Sequence, residues 1–141
     1  MKTDVWFVML PGMLALDMTG PAETFSLAPE HFSLHYIGPE REAATSLGLT
    51  MGGIAPLPDA LPPGSLLVIP GVSDSRDQFD TPQAEAVRRW LTRQQPALQR
   101  GDMSLVCICS GALLAARAGL MNGVQCTTHH DVIARLKTAA P

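Results

Sequence analysis

The chain of 141 residues predicts one α/β domain built on a parallel sheet, on three observations: short unbroken apolar runs, helical stretches between them, and turn residues at the joins. Helices cover both faces of a parallel sheet, so its strands read as continuous apolar runs and not as alternating ones. Residues 5–10 (VWFVML), 65–69 (SLLVI) and 103–108 (MSLVCI) have that character, and the first two stop at Pro-Gly.

The intervening segments follow in order. Residues 19–23 (TGPAE) predict a helix start with Pro21 at the first helical position and Glu23 in the first turn, leading through Phe25 and Leu27 to Pro29. Residues 32–37 (FSLHYI) alternate as a strand does, and residues 43–54, with two glycine clusters, predict two short strands or a hairpin. The proline-rich stretch 56–64 is a surface connection. Thr81-Pro82 opens a helix whose apolar positions Ala84, Val87, Trp90 and Leu91 recur at helical spacing, with Pro96 as its expected end. After residues 109–116, helical by propensity, Gly119 and Asn122-Gly123 are expected to turn the chain into a strand at 124–128. A last amphipathic helix then runs through Val132, Ile133 and Leu136.

Charge and composition exclude several classes. Ten basic against thirteen acidic residues give a net charge of −3, and the cations are scattered, so the basic footprint of a nucleic-acid binder is missing. The apolar runs fall far short of the roughly 20 residues that span a bilayer, and the start MKTDVWFVMLPG lacks a signal-peptide pattern, so a cytoplasmic location with no membrane contact is expected. Three cysteines are an odd number, which suits a reducing compartment.

The chemistry concentrates where a strand runs into Cys109-Ser110-Gly111 and on into a helix. That is the outline of a nucleophile elbow, in which a sharp turn lifts one side chain above the sheet. Cys109 is the lifted residue, and its place before a helix predicts a moderately lowered thiol pKa. Cys107 and Cys126 are expected to pack. Cys107-x-Cys109 and the adjacent His129 and His130 match no zinc spacing, and neighbouring side chains point apart, so no metal and no cofactor are expected.

The blocks LPGMLALDMTGPAETFSLA, LVIPG and VCICSGALLAARAGLMNGVQCTTHH resemble the signature blocks of the ThiJ/PfpI superfamily, the class I glutamine-amidotransferase-like proteins. The resemblance is nearest to the branch of the isocyanide hydratases and the N-terminal sensor domains of AraC-type regulators. It implies a flavodoxin-like, doubly wound parallel sheet in a three-layer sandwich with a nucleophile elbow. Residues 1–141 would form one such domain, lacking the last strand and helix of the family fold. By the same resemblance Asp17 is the acid that approaches Cys109, and Gly71 and Val72 form the oxyanion-binding turn. Ser110 adds its own N–H, and His129 is the histidine near the elbow; Cys109 and Asp17 are the catalytic candidates, the other four ligand-binding. Ser110 stands where peptidase-like relatives carry histidine, which argues against a peptidase.

The function implied is the N-terminal ligand-sensing domain of an AraC-family transcriptional regulator. It would bind a small metabolite near Cys109, reach DNA only through a downstream helix-turn-helix domain, and form a homodimer. The alternative is a cysteine-dependent isocyanide hydratase-like lyase in which Cys109 attacks carbon and Asp17 moves protons. A redox-sensitive protein with an oxidisable thiolate is a third reading.

Overall fold

The computed structural model describes residues 1–73 and 78–141. Five parallel strands form the main sheet: β1 (Thr3–Val8), β2 (Phe32–Gly38), β5 (Ala55–Pro56), β6 (Ser65–Ile69) and β7 (Met103–Cys107), in the order β5-β2-β1-β6-β7. The expected hairpin is present as β3 (Ala43–Ala44) paired antiparallel with β4 (Thr50–Met51). The helices are α1 (Ala15–Ser26), α2 (Pro82–Gln99), α3 (Gly111–Arg117) and α4 (Ile133–Ala139). This is the expected flavodoxin-like sheet. Strand order reverses between β1 and β6, and in such sheets ligands bind at the carboxyl ends of the strands around that point.

Side-chain alternation divides the core into two layers. On one face Val5, Phe7, Met9 and Val68 pack with Met18 and Ala22 of α1. On the other, Val8, Leu67 and Ile69 meet Val87, Trp90 and Leu91 of α2 and the fully buried Leu113 and Leu114 of α3. Strands with apolar side chains on both faces account for the unbroken apolar runs. The connection at 56–64 is pinned to α2: Trp90 Nε1 donates to the Pro58 carbonyl, and Gln94 Nε2 to that of Asp59 at 3.2 Å.

Three local expectations are corrected. Helix α1 begins at Ala15, so Pro21 lies inside it and Asp17, not Glu23, occupies its first turn. Burial of Ala15 and Met18 starts the helix six residues before the proline signal. Helix α2 passes through Pro96 to Gln99 and stops before Gly101, whose φ is 76°. A proline removes only its own N–H, whereas a left-handed glycine redirects the chain. Residues 124–128 form no strand; among the described residues the sheet ends at β7.

Candidate functional site

Three chain segments leaving neighbouring strands converge at the carboxyl edge of the sheet. The one after β1 leads into the first turn of α1 and carries Asp17, the one after β6 is Pro70-Gly71-Val72, and the one after β7 is Ile108-Cys109-Ser110. Backbone hydrogen bonds fasten them together: Leu14 N–H to the Gly71 carbonyl at 2.9 Å, Ser73 N–H to Gly12 at 2.9 Å, and Ile108 N–H to Ile69 at 2.9 Å.

Cys109 has φ of 53°, the one positive value at a non-glycine among the described residues. For an L-residue this left-handed conformation costs roughly 1–2 kcal/mol, and such strain persists only where neighbours enforce it. Two contacts do so. Gly111 N–H donates to the Ile108 carbonyl at 2.9 Å, and the Thr128 hydroxyl donates to the Cys109 carbonyl at 2.9 Å. Gly111 is required because a Cβ there would run into the Ile69 carbonyl of β6 and lie 3.0 Å from that of Pro70. The Cys-Ser-Gly turn therefore has the elbow geometry its sequence predicts.

Gly71 is the meeting point. A Cβ added to it would stand 2.8 Å from Asp17 Oδ2, 2.9 Å from Cys109 Cβ and 3.0 Å from Ser110 Oγ. The expected oxyanion turn is engaged by the chain's own side chains. Gly71 N–H donates to Asp17 Oδ2 at 3.1 Å, and Val72 N–H donates to the buried Ser110 Oγ at 3.1 Å. The Ser110 hydroxyl in turn faces the Val72 carbonyl at 3.4 Å.

Two of the three thiols differ from expectation. Burial pushes the Cys109 thiol above its ordinary value, and the Asp17 carboxylate adds to the rise. The Ser110 N–H and hydroxyl oppose it without reversing it. The predicted lowering fails because desolvation of the thiolate outweighs what the turn donates to it. Cys107, in the sheet, is pushed up to about 12 by burial, with Cys126 contributing. Cys126 itself is exposed and does not pack as expected.

A cavity of about 130 Å³ opens beside the elbow, lined by Leu14, Val72, Ser73, Cys109, Ser110 and His129 together with Asp131 and Val132. Since a water occupies roughly 30 Å³ of liquid, this is room for a few waters or a very small group. The geometry thus brings together all six sequence candidates, Asp17, Gly71, Val72, Cys109, Ser110 and His129. Two participants were missed. Thr128 stands in the quoted T-T-H-H string and Asp131 directly follows it, but only the folded chain carries them 19 and 22 positions back to Cys109. Glu23 is exposed and uninvolved.

The two histidines also depart from expectation. The backbone bends where His129 gives way to the 3-10 turn His130–Val132, and the two rings come to 4.2 Å between centroids with 35° between their planes. The rule that neighbours diverge holds within a regular strand or helix, and this junction is neither.

No family model matches the chain, and no curated protein matches it in sequence. Solved structures do match in fold. An AraC family transcriptional regulator from Pseudomonas putida superposes with a TM-score of 0.77 at 20% identity, covering 99% of this chain and 73% of that one. A THiJ/PfpI family protein from Pseudomonas syringae gives 0.75 at 19% identity, covering 99% and 56%. A two-domain protein from Anabaena variabilis with dj-1/thij/pfpi-like and ferritin-like domains gives 0.73 at 16% identity, covering 99% and 38%. The chain therefore spans about half or less of the length of the last two. At these identities the likeness establishes the fold, which is that of the DJ-1/ThiJ/PfpI structures.

Proposed function

We propose that this DJ-1/ThiJ/PfpI fold serves as the ligand-sensing domain of an AraC-type transcriptional regulator, binding a small metabolite at the cavity beside Cys109. The observation that carries the reading is the engagement of both oxyanion-turn N–H groups. A catalytic oxyanion hole presents free donors where negative charge develops. Here the donors of Gly71 and Val72 are already bound to Asp17 and Ser110. A thiol raised above its ordinary value is also a weak nucleophile near neutral pH. With a carboxylate on the turn, the site favours small neutral or cationic ligands over anions.

The fold likeness to the Pseudomonas putida regulator supports the same reading, and DNA contact would then belong to a separate domain. A homodimer fits the exposed apolar residues at the start of α1 and in the β3–β4 loop, where Leu16, Leu47 and Leu49 are 77%, 70% and 65% exposed. The loop is tied to the strand-to-helix connection by Ser46 N–H donating to the Met13 carbonyl at 2.9 Å. No helix among the described residues is long and apolar enough to cross a membrane. A cytoplasmic location is part of the proposal.

The strained backbone of Cys109 is the one observation that favours a cysteine-dependent hydratase. A paired assay separates the two. A thermal-shift screen of small amines and neutral metabolites is run on the unmodified chain and on Cys109→Ala, alongside turnover of an aliphatic isocyanide. Sensing predicts stabilising ligands that both proteins bind and no turnover. Isocyanide hydration by the unmodified chain, abolished in Cys109→Ala, would replace the sensor with the enzyme.

A further inference from the structure

The bend at His129 assembles a donor set outside the elbow. Asp131 reaches both rings: its Oδ1 is 3.0 Å from His130 Nε2 and its Oδ2 is 3.6 Å from His129 Nδ1. One ligand atom from each of the three residues lies within 4.8 Å of the other two. We propose that His129, His130 and Asp131 bind a divalent transition-metal ion, with zinc as the representative, at the rim of the cavity that Cys109 lines.

The donor chemistry and the spacing both fit. Two imidazoles and a carboxylate are the ligand types that borderline ions such as zinc, nickel and copper take, in contrast to the all-oxygen sets of calcium and magnesium. A tetrahedral ion with bonds of about 2.0–2.2 Å holds its ligand atoms roughly 3.3–3.6 Å apart. The 3.6 Å between His129 Nδ1 and Asp131 Oδ2 is at that edge length, and the 3.0 Å between His130 Nε2 and Asp131 Oδ1 is slightly under it. Small rotations of the three side chains bring their ligand atoms, already within 4.8 Å of one another, to a common ion. Binding asks little of the fold. His129 Nδ1 accepts the Asp131 N–H at 3.3 Å, a long bond, and all three side chains are more than a third exposed and able to adjust.

Three protein ligands leave a coordination position open. His129 and Asp131 line the elbow cavity with Cys109, Ser73 and Ser110, and the Thr128 hydroxyl ties the segment before His129 to the Cys109 carbonyl. An ion held there stands at the entrance to the proposed sensing pocket. The assignment itself does not depend on that function, because it rests on the donor geometry alone.

The test is calorimetric titration of the full chain with zinc, repeated in Cys126→Ser to remove the exposed thiol. Expected is one ion per chain in both proteins. His130→Gln and Asp131→Asn should each weaken it by at least about tenfold, since even the loss of a group that only hydrogen-bonds to a metal ligand costs that much. His31→Gln, from the exposed pair with Glu30, should leave it unchanged. Since these are surface positions, equal melting temperatures of the metal-free variants check the fold. A dissociation constant weaker than about 1 mM in the unmodified chain, or undiminished binding in His130→Gln and Asp131→Asn, overturns the assignment.

Discussion

Asp17 accepts the Gly71 N–H at 3.1 Å across 54 positions of sequence, so the acid expected beside the thiol also closes the turn expected to receive an oxyanion. One carboxylate thereby sets two properties of the site. It withdraws a backbone donor, and its charge adds to the burial that raises Cys109.

The first prediction follows from that charge. A nearby carboxylate disfavours the thiolate, so Asp17→Asn should lower the Cys109 pKa and speed its alkylation by iodoacetamide at neutral pH. The unmodified protein should show its Cys109 labelling rise at a pH above the ordinary thiol value of about 8.5. Mass-resolved labelling against pH distinguishes Cys109 from the other thiols. A slower reaction in Asp17→Asn would mean that the acid donates a proton to sulfur.

Cys107 predicts a stability change at high pH. Its folded value of about 12 exceeds the ordinary thiol value, so the unfolded chain ionises first. The contribution is complete below about pH 8.5 and is lost as pH rises toward 12, at about 1.4 kcal/mol per pH unit. Urea unfolding of Cys107→Val and of the unmodified chain should therefore converge in this window, relative to their difference at pH 7. Parallel curves would show that Cys107 is not held protonated.

Gly111→Ala tests the elbow. The added methyl meets the Ile69 carbonyl, backbone that cannot rotate away. A loss of about 1–3 kcal/mol in urea unfolding is expected, as for an overpacked core position. Because α3 must move off β6 to admit the methyl, ligand-induced stabilisation should fall with it. Unchanged unfolding would mean that the close approach of helix and strand is not obligatory.

The elbow was legible because it is local. A strand, Cys109-Ser110-Gly111 and a helix occupy consecutive positions, and Gly111 is the small residue that their junction demands. The buried strands were legible for a related reason, since burial on both faces leaves unbroken apolar runs at residues 5–10 and 65–69. The ends of α1 and α2 were less so. Pro21 and Pro96 are strong local signals, but the packing of Met18 before the first decides where α1 starts, and the conformation of Gly101 after the second decides where α2 stops.

What the sequence by itself determined is the α/β class, the buried strands at residues 5–10, 65–69 and 103–108 and the identity of the elbow cysteine, because each depends on neighbours within a few residues. The tertiary structure alone decided the electrostatic state of the site. Gly71 meets Asp17 and Val72 meets Ser110 across 54 and 38 positions, and those contacts determine which donors remain free. The Cys109 thiol rises instead of falling because desolvation sums the whole surrounding shell. His129, His130 and Asp131 converge because the chain bends between an extended segment and a 3-10 turn, a junction whose side-chain directions no periodic pattern specifies.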